Sequence, residues 1–132
     1  MIEYPVKVLV AFGESIRGNE ALYHWLLNNG FGELAALSSA IRGSEEANQW
    51  LLKNGYPHLA ALDYAIDQKQ EAYVWLMKHD YQLLAVFARA CNNDSQAIGW
   101  LKQYDLKVFE ILAAIIHSFK GNQTFDYHKL RF

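Results

Sequence analysis

Apolar residues recur along this chain in a pattern that is helical at short range and periodic at long range. Leu34, Leu37 and Ile41 are spaced i, i+3, i+7, which places them on one face of a helix. The same columns return 25 residues on as Leu59, Leu62 and Ile66, and again as Leu84, Phe87 and Cys91; Leu9, Phe12 and Ile16 precede them. Small residues such as Ala36 and Ala40 flank this stripe and let another helix approach closely. A second helical stretch carries Ala47, Trp50 and Leu51, repeated as Ala72, Trp75, Leu76 and Ala97, Trp100, Leu101. The tryptophans stand at 25, 50, 75 and 100, with Phe125 continuing the series. This predicts an all-α chain, an α-solenoid or α-α superhelix of about five tandem two-helix units. Counted from each Trp, the units are 1–24, 25–49, 50–74, 75–99 and 100–132, within a single domain.

Turn chemistry separates the two helices of each unit. The first connection reads Gly18-Asn19, Gly43-Ser44, Lys69 with its neighbours, and Asn92-Asn93-Asp94. Gly and Asn tolerate the left-handed conformation that ends a helix, and Ser, Asn or Asp can cap the next one. The second helix ends at Gly30, Gly55, Asp80 or Asp105, followed by Phe31, Tyr56, Tyr81 or Leu106. These apolar residues are placed to fold back over the helix end. Helices of about ten residues are marginal alone, so packing between units must stabilise them. The tryptophans share their arc with Ala47 and Leu51, so indoles and leucines are both expected in the core. The leading helix is expected near Val6, after Pro5. At the other end, polar Asn122, Gln123, Asp126 and His128 replace apolar residues, which predicts a short capping helix over about Asn122 to Leu130.

Length and charge narrow the function classes. A chain of 132 residues buries roughly two thirds of its unfolded surface if compact. Net charge is −2 with no run of Lys or Arg, which disfavours a nucleic-acid partner. The apolar runs are too short to span a bilayer, the N-terminus lacks a secretory pattern, and one cysteine cannot form an internal disulfide. A cytoplasmic protein is expected.

The stretch Ala40-Ile41-Arg42-Gly43-Ser44-Glu45-Glu46-Ala47, leading into Trp50-Leu51-Leu52-Lys53-Asn54-Gly55, resembles the helical part of an ankyrin repeat. That pattern has an alanine-rich first helix, a Gly-containing turn, an acidic residue, paired leucines and a closing Asn-Gly. The resemblance recurs over nearly the whole chain. It departs from the family in lacking the β-hairpin and the Thr-Pro-Leu-His opening of the longer ankyrin unit. The resemblance therefore implies a hairpin-less ankyrin-like array whose business is binding proteins.

On the first helix of each unit, the arc opposite the apolar stripe holds the columns of Ala35, Ser38, Ser39 and Arg42. Read across units, its middle row is Glu14, Ser39, Tyr64, Arg89 and Ala114, and its turn-proximal row is Arg17, Arg42, Asp67, Asn92 and His117. These rows vary while the core columns repeat, as a tailored surface would. Glu14, Arg17, Ser39, Arg42, Tyr64, Asp67, Arg89 and Asn92 are therefore the candidate contacts for a protein or peptide partner.

Catalytic and metal chemistry is not encoded locally. His24, His58, His79, His117 and His128 fall in different columns with no i, i+4 pair, whereas zinc needs four convergent ligands. Cys91 replaces isoleucine in a core column, a buried thiol rather than a nucleophile. Glu45, Glu46 and Glu71 occupy first helical turns, where the helix dipole favours them. No phosphate-binding glycine loop is present, and neither an enzyme nor a cofactor is expected. A reading from another class is self-association into a homodimer through the C-terminal unit, where Ile111, Ile115, Ile116 and Phe119 are unusually apolar. An enzyme or nucleic-acid binder would need a polar cluster assembled across units, as from Arg17, Arg42, Arg89 and His117.

Overall fold

The computed structural model describes residue 1 and residues 3–130, with side chains described through Asn122. Among these residues are nine helices: α1 (Val6–Ile16), α2 (Glu20–Asn28), α3 (Gly32–Ile41), α4 (Glu45–Lys53), α5 (Pro57–Ile66), α6 (Gln70–Lys78), α7 (Gln82–Cys91), α8 (Ser95–Gln103) and α9 (Lys107–Leu130). Both connections of each two-helix unit close in the same way. Backbone N–H groups of Phe31, Tyr56, Tyr81 and Leu106 donate to the carbonyls of Leu26, Leu51, Leu76 and Leu101, five residues earlier. The preceding residues Gly30, Gly55, Asp80 and Asp105 have positive φ, as do Gly18, Gly43, Gln68 and Asn93 in the other connection. This is the left-handed helix stop that the turn residues predicted. Asn19, Ser44 and Asp94 cap α2, α4 and α8 with side-chain oxygens; Lys69 gives α6 no such bond.

The helices pack in sequential pairs, as tandem repeats do. Each even helix packs on the odd helices before and after it, while α1, α3, α5, α7 and α9 pack side by side. The row of odd helices then closes on itself, because α1 also packs against α9. Inside the ring lie Leu9, Phe12, Ile16 and their equivalents through Phe109, Leu112 and Ile116, all buried.

Closure uses the same columns as the other contacts. The Ser15 hydroxyl on α1 donates to the Ser38 hydroxyl on α3 at 2.9 Å. One unit on, these columns read Ala40 and Asp63; at the seam they read Ile115 on α9 and Gly13 on α1. A Cβ added to Gly13 would lie 2.8 Å from Leu112 Cδ2 and 3.1 Å from Ile115 Cδ1. The large side chain is thus accommodated by an absent one. Gly13→Leu is expected to cost about 1–3 kcal/mol by overpacking, read as a lower urea midpoint. Adding Ile115→Ala should recover part of the loss. An unchanged midpoint for Gly13→Leu would contradict the α1–α9 contact.

Three expectations are corrected. The leucines Leu26, Leu51, Leu76 and Leu101 are fully buried, whereas Trp25, Trp75 and Trp100 are only partly buried against the core and Trp50 is 43% exposed. Each of the first three indoles instead stacks on the aromatic residue closing its helix: Trp25 on Phe31, Trp50 on Tyr56 and Trp75 on Tyr81, at 5.9–6.2 Å and within 17° of parallel. Leu and Trp are adjacent, 100° apart on the helix, and only one direction points into the unit interface. Second, no separate capping helix begins near Asn122, because α9 runs unbroken from Lys107 to Leu130. The columns that turn elsewhere hold Ser118 and Phe119, neither suited to a left-handed stop followed by a cap. The side chains of Phe125, Asp126 and His128 lie outside the described residues. Third, Ala35 and Ser38, expected on an open arc, are buried. A neighbouring odd helix covers Ser38, and an even helix covers the Ala35 column: in α4, Asn48 reaches the carbonyl of the equivalent Ala60.

Candidate functional site

The residues singled out from sequence gather toward the C-terminal ends of the odd helices, where much of their polarity is spent between units. Arg42 donates from Nη1 to the Ile16 carbonyl at 2.7 Å, and its guanidinium lies 5.3 Å from the centre of the Phe119 ring. Asn92 donates to the Ile66 carbonyl at 2.9 Å and accepts from Gln68 at 3.0 Å. His117 approaches the Cys91 carbonyl at 3.2 Å in the same column. Each of these side chains satisfies a carbonyl at the end of the preceding odd helix. Asp67 pairs with Lys120 at 3.0 Å, and Arg17 with Glu14 at 3.8 Å.

The middle row turns outward beside the even helices. Ser39 donates to the Tyr23 hydroxyl at 3.2 Å. Tyr64 donates a short hydrogen bond to Glu45, which holds that carboxyl below its ordinary range and raises the phenol above its own. Arg89 donates to Asp94 at 2.7 Å and lies 6.0 Å from the Tyr73 ring. Arg17, Arg42, Arg89 and His117 are therefore engaged separately rather than as one cluster.

Grooves open where the even helices stand apart. One of about 550 Å³ is walled by Gln70 and Tyr73 of α6 and by Arg89 and Asn92 at the end of α7, with Asp94 beyond. A smaller, more apolar groove of about 310 Å³ has Ala60, Ala61 and Tyr64 as its floor between Leu52 of α4 and Trp75 of α6. Tyr64, Arg89 and Asn92 thus line grooves; Glu14, Ser39 and Asp67 line neither.

Two features were not anticipated. Asn48 and Asp63 are buried between α4 and α5, where Asn48 Nδ2 donates to Asp63 Oδ2 at 2.9 Å. Among the described residues no partner reaches Asn48 Oδ1 or Asp63 Oδ1. Burial raises the Asp63 carboxyl to a pKa of about 6, against the lowering effect of the Asn48 bond. The second is the seam between α9 and α1, bridged by no even helix. Val10, in the column of buried Ala35, Ala60 and Ala85, is 51% exposed; Ile111, in the column of Ala11, is 52% exposed. The sequence signal was Val and Ile in columns that otherwise hold mostly Ala.

Ile116 is buried, Ile115 and Phe119 are partly buried, and only Ile111 of that apolar face lies open. Cys91 is buried, which pushes its thiol pKa far up. Among the described residues, no helix is long and apolar enough to cross a membrane, and no three His, Cys, Asp or Glu side chains converge as metal ligands would. No protein-family model, curated protein or solved structure matches the chain.

Proposed function

We propose that this protein is a non-enzymatic binding module for a protein or peptide, acting in the cytoplasm without a cofactor. Its architecture would be one closed turn of an α-solenoid built from hairpin-less, ankyrin-like units. The carrying observation is the pair of grooves between separated even helices, whose lining includes the variable residues Tyr64, Arg89 and Asn92. Residues that differ from unit to unit therefore sit where a partner could touch them, while the repeated columns are buried. Grooves of this size suit side chains anchored from a polypeptide.

Tyr64→Ala with Arg89→Ala tests the reading without disturbing the Arg42 and Asn92 contacts between units. A partner captured from the native cell and then purified should bind this double variant at least tenfold more weakly. Unchanged affinity for a reconstituted partner would remove these grooves as the binding face.

Self-association is the second reading, favoured by the exposed Val6, Val10, Tyr104 and Ile111. Sedimentation equilibrium separates the two: a monomer at high concentration leaves the partner-binding reading in place.

A further inference from the structure

We propose that the seam between α9 and α1 is a docking site for an amphipathic helix of a partner protein, lying where a tenth helix would complete the ring. This rests on the reading of the protein as an interaction module and names a partner chemistry for a different face. Four neighbouring pairs of odd helices meet along the ring before the seam, and each is bridged by an even helix; the fifth pair, α9 and α1, is not. One groove of about 510 Å³ runs from Tyr4 and Val6 past Val10 to Ile111, and another of about 430 Å³ continues from Ile111 to Arg17 and Phe119. The two share Ile111 and together follow the length of the seam.

The filled positions state what fits. Each bridging helix turns a Leu inward, at 26, 51, 76 or 101, and three of the four place Ala four residues before it, at 47, 72 and 97. The chain's own last segment does not supply this pattern. In register, it offers Asn122 in the Ala column and Asp126 in the Leu column, and α9 continues straight through that stretch.

Charge selects the occupant's other features. A helix laid in the seam as the even helices lie in theirs would end beside the N-termini of α1 and α9. Their first turns carry Lys7 and Lys107, in the column where α3, α5 and α7 hold Gly32, Pro57 and Gln82. Lys107 lines the groove with Asp105 as its one carboxylate, while Lys7 leans over Trp25 at 5.9 Å. Two helix N-termini make that end electropositive, with Lys107 set against Asp105 in the groove and Lys7 turned to the Trp25 side. The last turns of α4, α6 and α8 carry Lys53, Lys78 and Lys102, so the occupant differs from them in having an acidic final turn.

The probe is a fluorescein-labelled peptide copying residues 94–104 with Gly99→Ala and Lys102→Glu, titrated with the full chain by fluorescence anisotropy. Saturable binding with a Kd on the order of 100 µM is expected. Val10→Glu and Ile111→Glu, which alter exposed positions and whose folding circular dichroism confirms, should each weaken it at least tenfold. Lys107→Glu should weaken this peptide and favour one that keeps Lys102. The Tyr64→Ala, Arg89→Ala variant should bind the peptide normally, which separates this site from the grooves between even helices. Absence of saturation at about 1 mM, or equal binding by Val10→Glu and Ile111→Glu, overturns the proposal. So does a dimer in sedimentation that Ile111→Glu dissolves, since a second copy would then occupy the seam.

Discussion

Leu51→Ala is expected to lower the unfolding free energy by roughly 2–5 kcal/mol, and by more than Trp50→Ala, although the indole is the larger side chain. Leu51 is fully buried, so truncation leaves a cavity at the interface of α4 with α3 and α5. Trp50 is 43% exposed and has its stacked contact with Tyr56, 6.2 Å between ring centres, to lose. Urea midpoints of the two variants check the order directly. A larger loss for the tryptophan would return the indoles to the core and undo the packing described above. For a domain whose whole stability is of the order of 5–15 kcal/mol, the leucine effect alone is a substantial fraction of it.

Asp63 should make the protein more stable as pH falls from 7 toward 5. Its carboxyl keeps its proton up to a pH of about 6 in the folded chain, against an ordinary 3.8. Stability from protonation is therefore complete below the unfolded value and lost as pH rises through the folded one. A shift of this size corresponds to about 3 kcal/mol. The physical reason is burial, and among the described residues no donor reaches Asp63 Oδ1 to compensate its charge. Asp67 and Glu45 push the carboxyl in the same direction, and Lys120 opposes them. Glu3, Glu45 and Asp94, whose carboxyls are lowered, act oppositely at more acid pH, and His58, lowered by burial, opposes Asp63 between pH 7 and 5, so the comparison with an Asp63 variant isolates the effect. Asp63→Asn should raise the urea midpoint at pH 7 and flatten its dependence on pH. An Asp63→Asn chain whose midpoint depends on pH across this window just as the parent's does would refute the assignment.

Local chemistry was readable from the chain, and long-range geometry was not. The left-handed stops at Gly30, Gly55, Asp80 and Asp105 follow from residue type and the apolar residue after them, because a helix end is settled within six residues. The buried leucine columns follow from period and face. The division of labour between Trp50 and Leu51 does not, since both lie within the apolar half of the helix. Ring closure depends on how far each unit rotates from the last, a sum of small packing differences that no single column encodes. Its one local sign, Gly13 facing Ile115, becomes legible only once α1 is known to meet α9. The candidate surface changed for the same reason. An arc drawn as open on an isolated helix loses Ala35 and Ser38 to neighbours, and Val10 and Ile111 gain exposure because a neighbour is missing.

The α1–α9 contact also sets a copy number. In an open array a duplicated unit simply lengthens the row, and the outermost units loosen first. Here the first and last helices support each other, because α1 packs against α9. A sixth unit spliced into the middle would have to tighten all the existing angles or force the two ends apart, so growth by duplication is a route this architecture closes.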